Sequence, residues 1–179
     1  MDHFYENIDG WFNFEDLYRE VVEKAKDGDR FVEIGAWKGR STAFMAVEII
    51  NSGKKIELNV VDTFAGSEEH QKEESIINAT LEDEFLKNTA PVADHYKLLI
   101  MQSVAASKLF PDHSLDFVFI DAAHGYEFVK EDIEAWLPKV KQGGLIAGDD
   151  YQTWPGVKQA VDELLPDAEK RGIYWMQRL

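Results

Sequence analysis

Along the 179-residue chain the spacing of apolar positions switches repeatedly between the period of a helix and that of a buried strand. Phe14, Leu17, Tyr18, Val21, Val22 and Ala25 recur at i, i+3, i+4 and i+7, which predicts a helix burying one face, with Asn13 placed to cap it. Phe31–Ile34 reads as a short buried strand broken by Gly35. A helix is predicted from Arg40 to Ile50, strands over Ile56–Val61 and Tyr96–Met101, a short helix over Val104–Phe110 and a strand over Leu115–Ile120. Tyr126, Val129, Ile133, Trp136 and Leu137 then mark one stripe of a helix, followed by the strand Gly144–Ala147. Pro155 opens another helix as a favourable first-turn residue, and Ile173–Arg178 forms a last strand. Strands separated by helices require right-handed crossovers. The expected fold class is therefore α/β: a doubly wound, mostly parallel sheet of six or seven strands with helices on both faces.

One stretch resists this reading. Residues 64–95 form an acidic, weakly patterned insertion, Gly66-Ser67-Glu68-Glu69-His70 onward, in which Thr80 with Asp83 resembles a helix cap. An insertion of this length serves either as a lid or as a solvated helical connector. The remainder has no repeat, low-complexity tract or linker, so residues 1–179 are expected to form a single domain, with residues 1–29 as an N-terminal helical segment.

Composition narrows the partners. A net charge of −15 with no Lys/Arg cluster excludes nucleic acid as an expected partner. The longest apolar run, Ala43–Val47, is far short of the ~20 residues of a membrane span, so no membrane association is expected. The N-terminus lacks the pattern of a signal peptide, giving a cytoplasmic expectation. Zero Cys removes disulfides, Cys-type zinc sites and thiol nucleophiles. The expected partner is a small molecule, and a homodimer is left open.

In open α/β sheets ligands sit beyond the carboxyl ends of the strands, where the strand order reverses. Each predicted strand end here carries unusual polar residues: Glu33–Thr42 after the first, Asp62 after the second, Gln102-Ser103 after the third, Asp121–His124 after the fourth and Asp149-Asp150-Tyr151 after the fifth. Gly35 is expected to let a ligand approach the backbone, and Gly39 to let the next helix start close to the sheet. A nicotinamide dinucleotide needs a glycine where Trp37 stands, because its pyrophosphate lies against bare backbone. A nucleoside without phosphate escapes that objection. Asp62 follows Gly39 by 23 residues, near the spacing at which an acid accepts ribose hydroxyls.

The segments Val32–Thr42, Val61–Ser67, Phe119–Glu127 and Gly143–Tyr151 together resemble the class I S-adenosylmethionine-dependent methyltransferases. They are most similar to the small bacterial methyltransferase-domain family 24, which is itself similar to catechol-type and macrocin-type O-methyltransferases. The resemblance implies a Rossmann-like sheet and S-adenosyl-L-methionine as cofactor. It implies that Glu33, Gly35, Trp37 and Ser41 hold the methionine end, Asp62 the ribose and Ser103 the adenine, with Asp121 under the sulfonium and amino group. Ala36, Gly39, Thr63 and Gln102 complete the implied donor site. The family often has His where Asp149 stands. Only 29 residues follow Asp150, enough for a helix and one clear strand, so the usual terminal strand pair is expected to be shortened. Residues near Trp11 and from the insertion would then close the substrate pocket.

Methyl transfer is an in-line displacement, so the protein must chiefly align the acceptor and take its proton. His124, three residues past Asp121, stands where related O-methyltransferases carry a general base, and its ordinary pKa near ~6.5 suits that role. A surface-loop histidine bonded to a neighbour is the competing reading. Asp121, Asp149 and Asp150 could supply oxygen ligands to Mg²⁺ or Ca²⁺; otherwise Asp149 or Asp150 merely caps the turn before Pro155. Tyr151, Trp154 and Trp11 are candidate acceptor contacts, His70 a weaker one, while Tyr126 and Trp136 are assigned to the core. Two alternatives remain on the same architecture: an NAD(P)-type oxidoreductase and a non-catalytic nucleoside-binding subunit.

Overall fold

The computed structural model describes residues 1–67 and 70–179; Glu68 and Glu69 of the acidic insertion lie outside the described residues. The chain runs α1 (Glu15–Lys24), β1 (Arg30–Ile34), α2 (Arg40–Ser52), β2 (Glu57–Asp62), α3 (Glu74–Ile77), α4 (Leu81–Thr89), β3 (Lys97–Ile100), α5 (Ser103–Ser107), β4 (Leu115–Ile120), α6 (Tyr126–Trp136), β5 (Val140–Gly148), α7 (Pro155–Leu164), β6 (Glu169–Arg171) and β7 (Tyr174–Arg178). One seven-stranded sheet results, in the order β3-β2-β1-β4-β5-β7-β6. The pairs from β3 to β5 are parallel, and β7 pairs antiparallel with both β5 and β6. The winding direction reverses between β1 and β4, which places a crevice above their carboxyl ends.

Alternation along each strand feeds two cores. Phe31 of β1 and Phe117 and Phe119 of β4 point into a cluster closed by α1, α2 and α4, where Phe14, Tyr18, Phe44 and Phe85 are fully buried. Val32, Ile34, Val118 and Ile120 point the other way, into a cluster closed by α5, α6 and α7 around Trp136 and Trp175. Both faces are thereby covered, as a parallel sheet requires. Among the described residues no helix is long and apolar enough to cross a membrane.

Several local expectations are corrected. Asn13 does not cap α1: the N-cap is Phe14, whose burial in the first cluster starts the helix one residue later. Thr80 occupies the N-cap of α4, but its hydroxyl donates to Glu84 Oε1 at 2.9 Å instead of receiving a helix N–H. β5 begins at Val140, four residues before the apolar run at Gly144, because Val140 pairs with Leu115 ahead of a register shift. α5 ends at Ser107, short of Phe110. The terminal strand pair is present and short, as β6 has three residues. From Leu81 on, the acidic connection is a packed helical connector, burying Leu81, Phe85 and Val92.

Candidate active site

The β1–α2 loop is shaped by two glycines, for reasons that differ from the sequence expectation. Gly35 has φ +84°, and a Cβ there would lie 1.8 Å from the carbonyl oxygen of Asp121. Its missing side chain therefore admits the backbone leaving β4, while Gly35 itself still lines the cleft, and Asp121 N–H donates to Ile34 O at 2.8 Å across the same junction. Gly39 (φ +90°) makes room for Thr89 and Phe85 of α4. Between them Trp37 takes φ +48°, unusual for a bulky residue and a local strain.

Asp62 at the end of β2 ties this loop down. Its Oδ2 accepts the N–H groups of Ala36 (2.7 Å) and Trp37 (3.1 Å), and its Oδ1 accepts that of Phe64 (2.7 Å). An ionised carboxylate has about four acceptor positions. Three are occupied, so one remains for a ligand hydroxyl: Asp62 builds the loop as well as facing the cleft. Glu33 departs from its implied role. It is buried beneath the loop, accepting hydrogen bonds from Tyr18 OH (2.9 Å) and Thr42 Oγ1, and does not line the cleft. Burial pushes its pKa up, against the opposing effect of Thr42, Ser41 and Tyr18. Glu33 thus fixes the start of α2 from behind.

Above the strand ends opens a cleft of about 880 Å³, toward the upper end of the ~300–1,000 Å³ of ligand sites and roomy enough for a nucleoside donor and an acceptor. It gathers Gly35, Ala36, Trp37 and Ser41 from the first loop, Asp62 and Thr63 from the second, and Gln102 and Ser103 from the third. From beyond β4 and β5 come Asp121, His124, Asp149, Asp150 and Trp154. Trp11 and His70 reach it from the N-terminal segment and the insertion. Ala36 and Thr63 contribute wall, and Ser103 Oγ accepts Trp136 Nε1–H at 2.9 Å. Tyr151 is not brought in: its hydroxyl donates to Asp162 Oδ1 at 2.7 Å and its ring packs under Lys158 and Lys170, turned onto α7. Tyr126 is also outside, donating to Glu163 at 2.6 Å, and Trp136 is core.

Acids crowd the β4–β5 end. Burial, then the charges of Asp149 and Asp150, hold Asp121 well above the usual carboxylate range, with His124 opposing. Burial likewise pushes Asp149 up to about 6, and its Oδ1 is buried without a hydrogen-bond partner. His124 Nε2 lies 2.9 Å from Asp150 Oδ2, with its ring stacked on Trp154 (centroids 4.8 Å apart, planes 9° apart). One donor atom each from Asp121, His124 and Asp150 falls within 4.8 Å of the others. This trio differs from the expected metal set of Asp121, Asp149 and Asp150, with His124 in the place of Asp149.

Among the further cleft residues without an assigned role are Arg40, Phe128 and Asp132. Asp132 was detectable, since an acid three residues after Val129 and four before Trp136 sits on the apolar stripe of α6. There it is buried beside Ser103, with its pKa pushed up to about 6 by burial. Arg40 directly follows Gly39 and donates from Nη1 to the carbonyls of Ile8 (3.3 Å) and Gly10 (3.0 Å); only the N-terminal path reveals that.

Comparison with known proteins agrees with this geometry. The chain is 30% identical over 157 residues to an uncharacterized protein of Acanthamoeba polyphaga mimivirus, covering 80% of this chain and 62% of that protein's length. Its fold is shared with the O-methyltransferase NovP (TM-score 0.70, 21% identity, 93% of this chain and 80% of that one). It is shared also with CalS11, a TDP-rhamnose 3′-O-methyltransferase of calicheamicin biosynthesis (TM-score 0.62, 17% identity, 92% and 77%). The sequence model for a methyltransferase domain, that of family 24, matches residues 32–151, two-thirds of the chain and all five strand-end segments that line the cleft. The chain belongs to methyltransferase-domain family 24, within the class I S-adenosylmethionine-dependent methyltransferases.

Proposed function

We propose that the protein transfers a methyl group from S-adenosylmethionine to a hydroxyl of a small molecule. The observation that carries this reading is the meeting of two chemistries in one cleft: the Gly35–Ser41 loop with Asp62 on one side, and the Asp121–His124–Asp150 cluster on the other. The donor fits the residues present, because the loop leaves no phosphate cradle at Trp37, Asp62 keeps one acceptor position open, and carboxylates line the end where positive charge would lie. When bound, it supplies a methyl carbon already activated by sulfonium.

The chain's own work is alignment and proton removal. Trp154 and Asp150 fix the orientation of the His124 ring, and the Asp150 carboxylate stabilises the imidazolium formed when His124 takes the acceptor's hydroxyl proton. Asp121, at the end of β4 in the same cleft, faces the donor's cationic end, whose charge would favour the ionised form of a carboxylate that burial otherwise disfavours.

A second reading is favoured by the convergence of one donor atom each from Asp121, His124 and Asp150 and by the crowding of carboxylates around them. In it Asp121, His124 and Asp150 hold a Mg²⁺ or Ca²⁺ ion, whose charge would lower the pKa of the acceptor hydroxyl. The two readings compete for one imidazole. Formation of S-adenosylhomocysteine across a panel of hydroxylated small molecules tests both, with and without a chelator, for the native chain and His124→Gln. The base reading expects chelator-resistant turnover that falls roughly 100-fold or more in His124→Gln. Chelator-sensitive turnover selects the cation, and turnover indifferent to both treatments refutes the role of this cluster.

A further inference from the structure

The acceptor end of the cleft has two aromatic walls, assembled from distant parts of the chain. On one side Trp11 stacks on His70 (centroids 5.8 Å, planes 26° apart), and His70 in turn lies 4.5 Å from the ring of Trp37. On the other, His124 and Trp154 form a parallel stack, and Phe128, 52% exposed, also lines the cleft. Trp11 is 68% exposed, a large apolar surface left open to the cleft.

Its position is fixed by the donor loop itself. Arg40 Nη1 holds the carbonyls of Ile8 and Gly10, Lys38 Nζ pairs with Asp9 at 3.0 Å, and Gly10 packs against Trp37, where a Cβ would lie 3.3 Å from Cδ1. Residues 37, 38 and 40 thus each grip the segment that carries Trp11. Trp11 is therefore built into the site, and is no loose terminal side chain.

The charge lining the cleft is mostly of one sign. Asp121, Asp149, Asp150, Glu131 and Glu73 all line it, against one basic side chain among its described lining residues, Arg40, whose Nη1 holds the Ile8 and Gly10 carbonyls. A phosphate or carboxylate on the acceptor would meet several acidic side chains against a single Arg tied to the N-terminal segment, each repulsion costing on the order of a few-fold to more than ten-fold in affinity near a protein surface. A flat ring carrying an ammonium or no charge meets none of this, and aromatic faces favour it.

We propose that the acceptor is a planar aromatic molecule of neutral or positive charge, held between Trp11–His70 and His124–Trp154, with Trp11 as its specificity-determining residue; the proposal rests on the methyl-transfer reading above. It excludes nucleotide-linked and other phosphate-bearing acceptors from this chain.

Calorimetric titration of the full chain, saturated with S-adenosylhomocysteine, tests this with dopamine, catechol and 3,4-dihydroxybenzoate, which share one ring and differ in charge, and with a uridine-diphosphate sugar. The expected order is dopamine at or above catechol, then the benzoate weaker by about ten-fold, with the nucleotide sugar unbound. Trp11→Ala should weaken dopamine roughly 3- to 10-fold, the worth of an aromatic contact, Trp11→Phe should restore most of it, and the Kd of S-adenosylhomocysteine should stay the same in all three proteins. Benzoate binding as tightly as dopamine, none of the three ring compounds binding, or Trp11→Ala leaving dopamine unaffected or weakening S-adenosylhomocysteine would each overturn the proposal. Failure of S-adenosylhomocysteine to bind the native chain would instead defeat the underlying methyl-transfer reading.

Discussion

The closest backbone approach in the site makes a quantitative prediction. In Gly35→Ala the new Cβ would sit 1.8 Å from Asp121 O, 2.6 Å from its carbonyl carbon and 3.1 Å from Ala122 Cα, at φ +84°. Nothing flexible stands in that list, so β1 and the chain leaving β4 must separate. Left-handed backbone costs a non-glycine residue ~1–2 kcal/mol, and forced displacement of a packed interior adds ~1–3 kcal/mol. The expected loss is ~2–5 kcal/mol, a large part of the ~5–15 kcal/mol that stabilises a typical domain. Gly53→Ala is the matched control: φ is +67° at the end of α2, and nothing lies within 4 Å of its Cβ, so only the ~1–2 kcal/mol backbone cost applies. Urea unfolding followed by tryptophan fluorescence gives both values. Gly35→Ala should exceed Gly53→Ala by ~1–3 kcal/mol and should also lose affinity for S-adenosylhomocysteine, because Asp121 moves. Equal losses within ~0.5 kcal/mol, the usual scatter of such comparisons, would refute the close approach as the reason for glycine at position 35.

The buried acid on α6 predicts a pH dependence. Asp132 is pushed from 3.8 to about 6 by burial, so between those values the folded state binds more protons than the unfolded chain, and Asp132 lowers stability as pH rises through that window. Asp132→Asn, which keeps an acceptor for Ser103, should match the native chain near pH 4 and exceed it by up to ~3 kcal/mol at pH 7, the worth of two pKa units. Asp149 behaves alike over the same window, so the variant should flatten the native profile only in part. A stability difference between Asp132→Asn and the native chain that stays constant from pH 4 to pH 7 would contradict the assignment.

The doubly wound, mostly parallel sheet and the polar strand ends were legible in the sequence because both follow from local rules. Strand–helix alternation fixes parallel pairing, and parallel pairing puts Asp62, Gln102, Asp121 and Asp149 on one rim. The errors concern what each side chain does once there. Gly35 was expected to let a ligand approach its backbone, and it does line the cleft, but what forbids a side chain there is Asp121, a neighbour 86 residues away that only the assembled sheet supplies. Glu33 was assigned to the donor, but its side chain points toward Tyr18 and Thr42, a direction that strand alternation and the path of α1 decide together. His124 stands in the candidate cation cluster where Asp149 was expected, because which side chains converge around the turn at Asp150 is decided by the packed strand ends and not by sequence order. Tyr151 was lost to α7, where Asp162 accepts its hydroxyl. Trp11 was found through the shortness of the chain's end, and Arg40 was missed because its partners, Ile8 and Gly10, lie in a segment with no period to read.

Direct titration of the chain with S-adenosylhomocysteine and, separately, with NAD tests the central assignment with the fewest assumptions. S-adenosylhomocysteine should bind one to one, NAD should not bind, and Asp62→Ala should abolish the first by removing both the ribose acceptor and the three N–H anchors of the loop. Heat on NAD addition with none on S-adenosylhomocysteine addition, or unchanged S-adenosylhomocysteine binding in Asp62→Ala, would contradict the account.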